Sequence, residues 1–221
     1  MKFIVPIIAL TEVTHNVRCI RIKKPEGYNF VPGQATEVSV NKPGWEKEKR
    51  PFTFTCLNED PYLEFTIKCY TDHDGVTNQV RHLEIGDELI IRDAWGAIEY
   101  KGEGYFIAGG AGITPFIAIL RRLHVDNKIA GNKLFFSNKT DQDIIYAHEL
   151  HEMLGDNAIY TVTDGNDANH LHERIDSTFL EKRVDDFSKH FYVCGPDPMI
   201  AAIREILEGH GASPDAVVFE K

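Results

Sequence analysis

Three glycines lie within four positions where an apolar run of the sequence gives way to a helical pattern. They are Gly109, Gly110 and Gly112, and Thr114 and Pro115 follow them. Threonine is a common helix N-cap, and proline suits the first helical turn. A helix N-terminus offers free backbone N–H groups to an anion, and bare glycines would let a pyrophosphate approach closely. The alternative is a tight strand-to-helix turn without a ligand, and the G-x-G-x-x-P spacing alone does not decide between them.

A second turn of the same kind occurs over residues 192–200. Its apolar strand ends at Cys194, and Gly195 and Pro196 break it before Asp197, which we expect to cap the next helix. If both turns follow parallel strands, they open at the same edge of the sheet, where ligands of such sheets bind. The alternative for Cys194 is a small buried side chain without a chemical role.

An arginine precedes a strand of alternating aromatic and hydroxyl residues in the N-terminal half. The strand begins Arg50, Pro51, Phe52, Thr53, and successive side chains of a strand point to opposite faces. Such a strand could pack a planar ring on its aromatic residue, hydrogen-bond it through a hydroxyl and hold a phosphate with the arginine. An ordinary strand with the arginine at its rim would have the same sequence.

A further candidate anion site lies where a short helix is predicted after another strand. The residues concerned are Ile67, Lys68, Tyr70, Gly75, Val76 and Thr77. The N-terminus of this helix could take a phosphate. A loop capped by Thr77 or Asp74 explains the same residues equally well.

The hydrophobic period of the chain changes near residue 102. Before it, short segments alternate with a period of two between glycine and proline turns, which predicts an antiparallel β-barrel. After it, short apolar runs alternate with helical stretches, which predicts crossover units and a parallel sheet. We therefore expect two domains, a β-barrel over residues 1–100 and an α/β domain over residues 101–221.

The composition excludes several classes of function. The chain has 221 residues and a formal net charge of −10, which disfavours nucleic acid and anionic membranes as partners. No apolar run approaches the roughly 20 residues that span a bilayer, so we expect no membrane insertion. The four cysteines form no C-x-x-C pair, which argues against an iron–sulfur cluster or a disulfide framework and favours the cytoplasm. The histidine pairs lack a third converging ligand, so no metal site is expected.

The N-terminal hundred residues are less acidic than the rest of the chain. A solvated acidic surface explains most of the charge. The alternative is that the less acidic half binds an acidic partner. The basic side chains available for this are Arg21, Lys23, Lys24, Lys42, Lys47 and Lys49.

Taken in order, the four motifs resemble those of the ferredoxin–NADP reductase superfamily. They are R-P-F-T-F, I-K-x-Y with G-V-T-N, G-A-G-I-T-P-F and C-G-P-D-P-M. The resemblance covers nearly the whole chain and implies a flavin-binding barrel followed by a nicotinamide-nucleotide domain. It implies FAD rather than FMN, and an enzyme that transfers hydride from NAD(P)H to the flavin. The electrons would pass on to a separate acceptor, such as ferredoxin, flavodoxin, a haem protein or a small oxidant. The alternative is an electron-transfer subunit of a larger complex without independent turnover.

The resemblance also implies roles for individual residues. Arg50 would bind the flavin phosphates, and Phe52 would face the flavin. Thr53 would hydrogen-bond near flavin N5, and Cys194 would lie beside the nicotinamide, so these two are the catalytic candidates. The remaining cofactor-binding positions are Pro51, Ile67, Lys68, Tyr70, Gly75, Val76, Thr77, Gly110, Gly112, Thr114, Pro115, Gly195, Pro196 and Asp197.

The sequence departs from the family pattern in two places. Position 52 is phenylalanine where tyrosine is common, so a phenolic hydrogen bond is lost while stacking survives. Plant-type members end on an aromatic residue that covers the flavin, whereas Phe219 lies two residues before the end here. We expect Phe219 to be an ordinary strand residue, which leaves the second flavin face without an assigned cover.

The choice of nucleotide depends on the segment 135–150. Asp143 matches an acid of NADH-using members that meets the adenosine ribose and would repel a 2′-phosphate, so NADH is favoured. Thr140 and Asp143 could equally form a capping box for the following helix. Lys139 could instead meet a 2′-phosphate.

Overall fold

The computed structural model describes five stretches of the chain. They are residues 1–72, 74–96, 98–164 and 170–214, and the backbone of 216–219. The chain divides into two compact units, residues 1–97 with 114–119 and residues 98–113 with 120–221. The domain bounds that the sequence predicts, 1–100 and 101–221, remain a proposal.

Six antiparallel strands and one short helix form the barrel. They are β1 (Lys2–Thr14), β2 (Val17–Lys23), β3 (Ala35–Val40), β4 (Arg50–Thr53), β5 (Tyr62–Lys68), α1 (Val76–Val80) and β6 (Glu88–Arg92). The strand order is β4-β3-β6-β1-β2-β5. A bridge between Phe54 and Phe65 joins the two edges of this sheet. The predicted antiparallel barrel is therefore confirmed.

The period of two places alternate strand residues inside the barrel. Val38 and Val40 of β3 are buried there, as are Leu89 and Ile91 of β6. Burying such a side chain stabilises the fold by about 1.5–3 kcal/mol. The interior is thus filled mainly by aliphatic and aromatic residues, although a few polar residues such as Thr36 and Ser39 are also buried.

One carboxylate is nevertheless buried in the barrel wall. Glu64 of β5 is 1% exposed, and its Oε2 lies 2.8 Å from Nε of Arg21 on β2. The hydroxyl of Thr55 donates to Oε1 of Glu64 over 2.9 Å. The hydrogen bond to Glu64 raises the pKa of Arg21 above its ordinary value. Both carboxylate oxygens therefore have donors, as a buried charge requires.

Five parallel strands form the sheet of the second unit. They are β7 (Gly104–Gly109), β8 (Lys133–Asn138), β9 (Ala158–Val162), β10 (His190–Gly195) and β11 (Ala216–Phe219). The order is β11-β10-β7-β8-β9, and every residue of the central strand β7 is buried.

Four helices alternate with these strands along the chain. They are α2 (Thr114–Val125), α3 (Ala147–Leu154), α4 (Ser177–Arg183) and α5 (Asp197–Gly209). Strands buried on both faces are typical of parallel sheets with crossover helices. The predicted α/β fold with a parallel sheet is confirmed. Among the described residues, every helix is too short or insufficiently apolar to cross a bilayer.

The prediction that Thr114 and Asp197 cap their helices is wrong. A 3₁₀ turn over Gly110–Ile113 already brings the chain into helical geometry, so Ile113 is the N-cap and Thr114 the first residue of α2. Pro196, with φ −61° and ψ 143°, is the N-cap of α5, and Asp197 opens that helix. In the first turn, the carboxylate of Asp197 still faces the positive end of the helix dipole.

The helix expected to follow Thr140 and Asp143 begins only at Ala147. Asp141–Asp143 form a separate 3₁₀ turn. Tyr146 adopts a left-handed backbone with φ 54° directly before α3. The left-handed backbone of Tyr146 separates the 3₁₀ turn from the start of α3. The periodicity of apolar residues in the sequence does not reveal this conformation.

The ion pair between Arg21 and Glu64 yields a stability prediction. Replacing Arg21 in R21M leaves the buried carboxylate of Glu64 without its ion-pair partner, so the free energy of unfolding should fall by about 1–2 kcal/mol, less than for a fully buried pair because the side chain of Arg21 is 44% exposed. The double variant R21M/E64Q should be more stable than R21M, because the glutamine still accepts from Thr55. Arg174 is exposed, so R174M should change stability by less than about 0.5 kcal/mol. Urea denaturation of the four proteins measures this, and equal stability of R21M and R174M would contradict it.

Candidate functional site

The two glycine turns lie side by side at the carboxyl edge of the parallel sheet. Strands β7 and β10 are paired in parallel, with Ala108 opposite Cys194. β7 ends at Gly109 and β10 at Gly195, so both turns begin at the same level of neighbouring strands. Ligands of open α/β sheets bind at this edge.

The turns touch through their backbones. A Cβ on Gly112 would lie 2.3 Å from the carbonyl oxygen of Cys194, and one on Gly109 would lie 2.5 Å from Sδ of Met199. A Cβ on Gly195 would lie 3.1 Å from the backbone nitrogen of Gly109. Only glycine fits at Gly109 and Gly112 without movement of the neighbouring turn, because real Cβ atoms do not approach other atoms so closely.

Gly110 meets a different requirement. Its φ is +54°, and a Cβ there would have nothing within 4 Å. The conformation favours glycine, while the open space around it leaves the backbone of the turn accessible. Gly110 also starts the 3₁₀ turn that leads into α2, and the first N–H groups of such a turn lack partners within it.

The side chains around these turns differ in exposure. Cys194 is 2% exposed, so its thiol is buried and its carbonyl packs on the first turn. Thr114 is half-buried and Pro115 buried, whereas Pro196 and Asp197 are exposed. The burial of Cys194 fits both roles considered for it, a small core residue and a residue beneath a bound ring.

Arg50 stands at the start of β4, without an acidic partner among the described residues. Its side chain is exposed, and its Nη1 donates to the carbonyl of Lys49 over 2.7 Å. Within the described stretches, no carboxylate lies within ion-pair distance of it. By contrast, the guanidinium of Arg121 lies 2.5 Å from Glu149. An exposed guanidinium with uncompensated charge is suited to binding an anion bidentately.

The rest of β4 places an aromatic and a hydroxyl next to this cation. Phe52 is half-buried and packs against the barrel core, with its ring centroid 6.5 Å from that of Phe65. Thr53 is half-buried and lies opposite Ala35 of β3. Pro51 is exposed between them. The ring contact brings β4 beside β5, the strand that carries Ile67 and Lys68.

The segment after β5 exposes an aromatic and an uncapped helix start. Tyr70 is 40% exposed, with Nζ of Lys68 5.9 Å from its ring centroid. Gly75 is the N-cap of α1 and provides no side-chain hydrogen bond; Val76 is buried and Thr77 half-buried. The capping by Thr77 or Asp74 that the sequence allowed is absent from this described segment.

Asp143 has the capping role that the sequence allowed. Its Oδ2 accepts from the backbone N–H and the hydroxyl of Thr140, over 3.1 and 2.7 Å. The capping box stabilises the 3₁₀ turn Asp141–Asp143 and not α3. This turn follows β8, which neighbours β7, so Asp143 lies at the same edge of the sheet as the glycine turns. Lys139 is exposed beside it.

One residue at this edge has no counterpart in the sequence motifs. Asn138 ends β8 and is 5% exposed, yet its Oδ1 and Nδ2 have no hydrogen-bond partner within the described residues. Buried amides are normally paired, so an orphaned one at a ligand edge marks a candidate binding residue. The signal in the sequence is an asparagine that ends an apolar strand, which is too common to single out.

The structure thus groups the candidates into two sets. Within the second unit, Gly110, Gly112, Asp143, Cys194 and Gly195 lie along one sheet edge. Within the barrel, Arg50–Thr53 adjoin the strand that leads to Tyr70 and Gly75. The open backbone at Gly110 fits a dinucleotide pyrophosphate, and the uncompensated cation Arg50 fits flavin phosphates.

The chain is similar to several known proteins. Residues 106–205 match the family described as "Oxidoreductase NAD-binding domain". The chain is 29% identical over 219 residues to the reductase component of propane 2-monooxygenase from Rhodococcus jostii, covering 90% of this chain and 57% of that protein. It is 26% identical to NADH-cytochrome b5 reductase 1 of Pyricularia oryzae, covering 91% of this chain and 72% of that one.

A solved structure shows the same fold over almost the whole length. The ferredoxin NADP+ reductase of Neisseria gonorrhoeae, with bound FAD and NADP, superposes with a TM-score of 0.84 at 18% identity. The match covers 99% of this chain and 98% of that one. The chain therefore shares the fold of that reductase, and its residues 106–205 match the NAD-binding family.

Proposed function

We propose that this chain is a flavin-dependent NAD(P)H oxidoreductase that binds FAD on its barrel and NADH on its parallel sheet. Hydride passes from the nucleotide to the flavin, and electrons pass on to a separate acceptor. The observation that carries the proposal is the pair of glycine turns packed together at the carboxyl edge of the parallel sheet. The proposal is supported by the names of two similar proteins, a monooxygenase reductase component and an NADH-cytochrome b5 reductase.

Bound flavin would supply the chemistry, because it accepts hydride and releases electrons singly or in pairs. The protein's part is to bind and orient. Arg50 would neutralise phosphate charge, and the N–H groups at Gly75 would add donors. Thr53 would orient the ring through its hydroxyl, and Phe52 would pack against it. Thr53 and Phe52 would fill these roles without any change in protonation state.

The nucleotide side depends on backbone more than on side chains. The N–H groups of the turn at Gly110–Ile113 would bind the pyrophosphate. Cys194 and Gly195 would form the floor on which the nicotinamide lies, since a larger side chain in this turn would hold the ring away. Proximity of this kind governs the rate of a transfer between two bound cofactors.

The electron acceptor is less defined than the donor. Among the basic residues considered for an acidic partner, Lys42 pairs with Asp87 and Lys49 with Glu37. The hydrogen bond from Lys42 holds the pKa of Asp87 below its ordinary value. Arg21 is paired with Glu64, so much of this positive charge is neutralised within the barrel. The proposal is therefore a separate acceptor, without a requirement that it be acidic.

A second candidate function is an electron-transfer subunit of a larger complex without independent turnover. The chain spans 57% of the Rhodococcus protein, which is itself named as one component of a monooxygenase. Strong reduction of an artificial acceptor by the isolated chain with NADH would argue against this candidate. Flavin that NADH cannot reduce without a partner would favour it.

The central experiment is an anaerobic titration of the FAD-loaded protein with NADH and with NADPH. We expect NADH to bleach the visible flavin absorbance stoichiometrically, and an added acceptor to restore it. Failure of both nucleotides to bleach a bound flavin would contradict the proposed function.

Arg50 provides a prediction for flavin binding. R50A should weaken FAD binding about ten- to hundredfold, as expected for loss of a charge-assisted contact worth about 1.5–3 kcal/mol. Arg204 is exposed and without a described acidic partner, so R204A is the matched control and should bind FAD normally. Flavin fluorescence titration of the apoproteins measures both, and unchanged affinity of R50A would remove Arg50 from the site.

Cys194 provides a prediction for hydride transfer. C194A should slow reduction of the flavin by NADH about tenfold or more, through altered positioning of the nicotinamide, while FAD occupancy stays near that of the parent. Cys19 is also a buried free thiol, and C19A should leave the rate unchanged. Stopped-flow measurements give the rate of flavin reduction by NADH in the parent protein, C194A and C19A. Equal rates in all three would leave Cys194 with a packing role alone.

Variants of Asp143 and Thr140 distinguish an effect on the choice of nucleotide from an effect on the stability of the turn. D143A and T140A both break the capping box, but only D143A removes the carboxylate. We expect D143A to lose at least part of the preference in kcat/KM for NADH over NADPH, because a negative charge no longer repels the 2′-phosphate. T140A should keep that preference. If D143A and T140A change the preference for NADH equally, the carboxylate of Asp143 acts only by stabilising the turn.

A further inference from the structure

Trp95 is a large aromatic side chain held in an exposed position on the barrel. It follows β6 and is 50% exposed. Its backbone is fixed by two hydrogen bonds, from its N–H to the carbonyl of Ala35 over 2.8 Å and from the N–H of Ala35 to its own carbonyl over 2.6 Å. The protein therefore fixes the position of an indole that it does not bury.

The strand register places this indole on the same face as Thr53. Ala35 lies opposite Trp95 on one side and opposite Thr53 on the other. Residues directly opposite one another in antiparallel strands point to the same face. Thr53, Ala35 and Trp95 therefore form a row across three segments, with the outer two separated by two strand spacings, about 10 Å in total.

A glycine next to Trp95 tightens this arrangement. Gly96 has φ +152°, and a Cβ there would lie 3.0 Å from Cα of Gln34. The segment thus packs backbone against backbone on the turn before β3. Ala35 between Trp95 and Thr53 is small and buried, so the surface of the row is low at its centre and higher at both ends.

We propose that Trp95 packs against the isoalloxazine ring of the bound flavin, beside the edge that Thr53 hydrogen-bonds. This inference rests on the proposed function and adds a flavin contact to it. The isoalloxazine is a planar three-ring system, and its extent together with that of an indole spans the distance between the two residues. Position 52 lacks the phenol common in the family, so the indole supplies an electron-rich aromatic surface that Phe52 does not.

The inference predicts a change in flavin emission. An indole in contact with an isoalloxazine quenches flavin fluorescence, whereas a phenyl ring does not. Trp45 is the other tryptophan of the chain and packs against the barrel core, which makes W45F the matched control. The FAD complex of W95F should therefore be several-fold brighter than that of the parent protein, and the W45F complex should match the parent.

Affinity gives an independent readout. W95A should weaken FAD binding about three- to tenfold, the loss expected for one aromatic stacking contact. Thermal unfolding of the apoprotein should not change by more than a few degrees, because the ring is half-exposed before flavin binds. Flavin titrations followed by emission, at equal protein concentrations, measure the affinity, and thermal unfolding of the apoproteins measures their stability.

The outcomes distinguish this inference from the function on which it rests. Brighter flavin in W95F with a parent-like W45F supports the contact. Unchanged emission in W95F and unchanged affinity in W95A, in proteins whose flavin NADH still bleaches, would overturn the contact and leave the function standing. Absence of FAD binding by the parent protein would overturn both.

Discussion

The close approach of the Gly112 backbone to the carbonyl of Cys194 is the constraint on which the second unit depends. It lets two strand-to-helix turns pack against each other at one edge of the sheet, where a Cβ would be 2.3 Å from the carbonyl oxygen. A Cβ on Gly110 would meet nothing within 4 Å, so the backbone of the first turn is open to a ligand at that residue. The same contact fixes Gly195 beside the first turn. A floor made of backbone can bind phosphates and also bring a flat ring close, which side chains at these positions would prevent.

The barrel handles charge in two opposite ways. Arg21, whose side chain is partly exposed, pairs with the buried Glu64, and Thr55 donates to the other carboxylate oxygen, so the charge of Arg21 is compensated within the barrel wall. Arg50 lies at a strand start with its guanidinium exposed and no described carboxylate near it. An uncompensated cation of this kind raises the local positive potential in a chain of net charge −10. The contrast explains why one arginine is a binding candidate and the other is structural.

Much of the architecture could be predicted from the sequence, because hydrophobic period and turn chemistry act locally. The change of period near residue 102 predicted a barrel and a parallel sheet, and both are present. The caps of α2 and α5 could not be predicted from residue type. The backbone is already helical at Ile113 before Thr114, whereas the extended Pro196 takes the N-cap position before Asp197. Trp95 could not be recognised from the sequence as a candidate flavin contact. It lies near Thr53 only because the strand register places both residues opposite Ala35. Asp143 shows a further limit: the capping box is present, and its occurrence does not by itself exclude a second role in choosing the nucleotide.

The central claim is that the open backbone of the first glycine turn binds the dinucleotide, and Gly110 tests it most directly. Gly110 and Gly211 both have positive φ, +54° and +74°, and a Cβ on either would meet nothing within 4 Å. G110A and G211A should therefore lose similar stability, about 1 kcal/mol each, but only Gly110 lies at the ligand edge. Calorimetric titration with NADH should show at least tenfold weaker binding for G110A and parent-like binding for G211A. Parent-like affinity in a folded G110A would contradict the account.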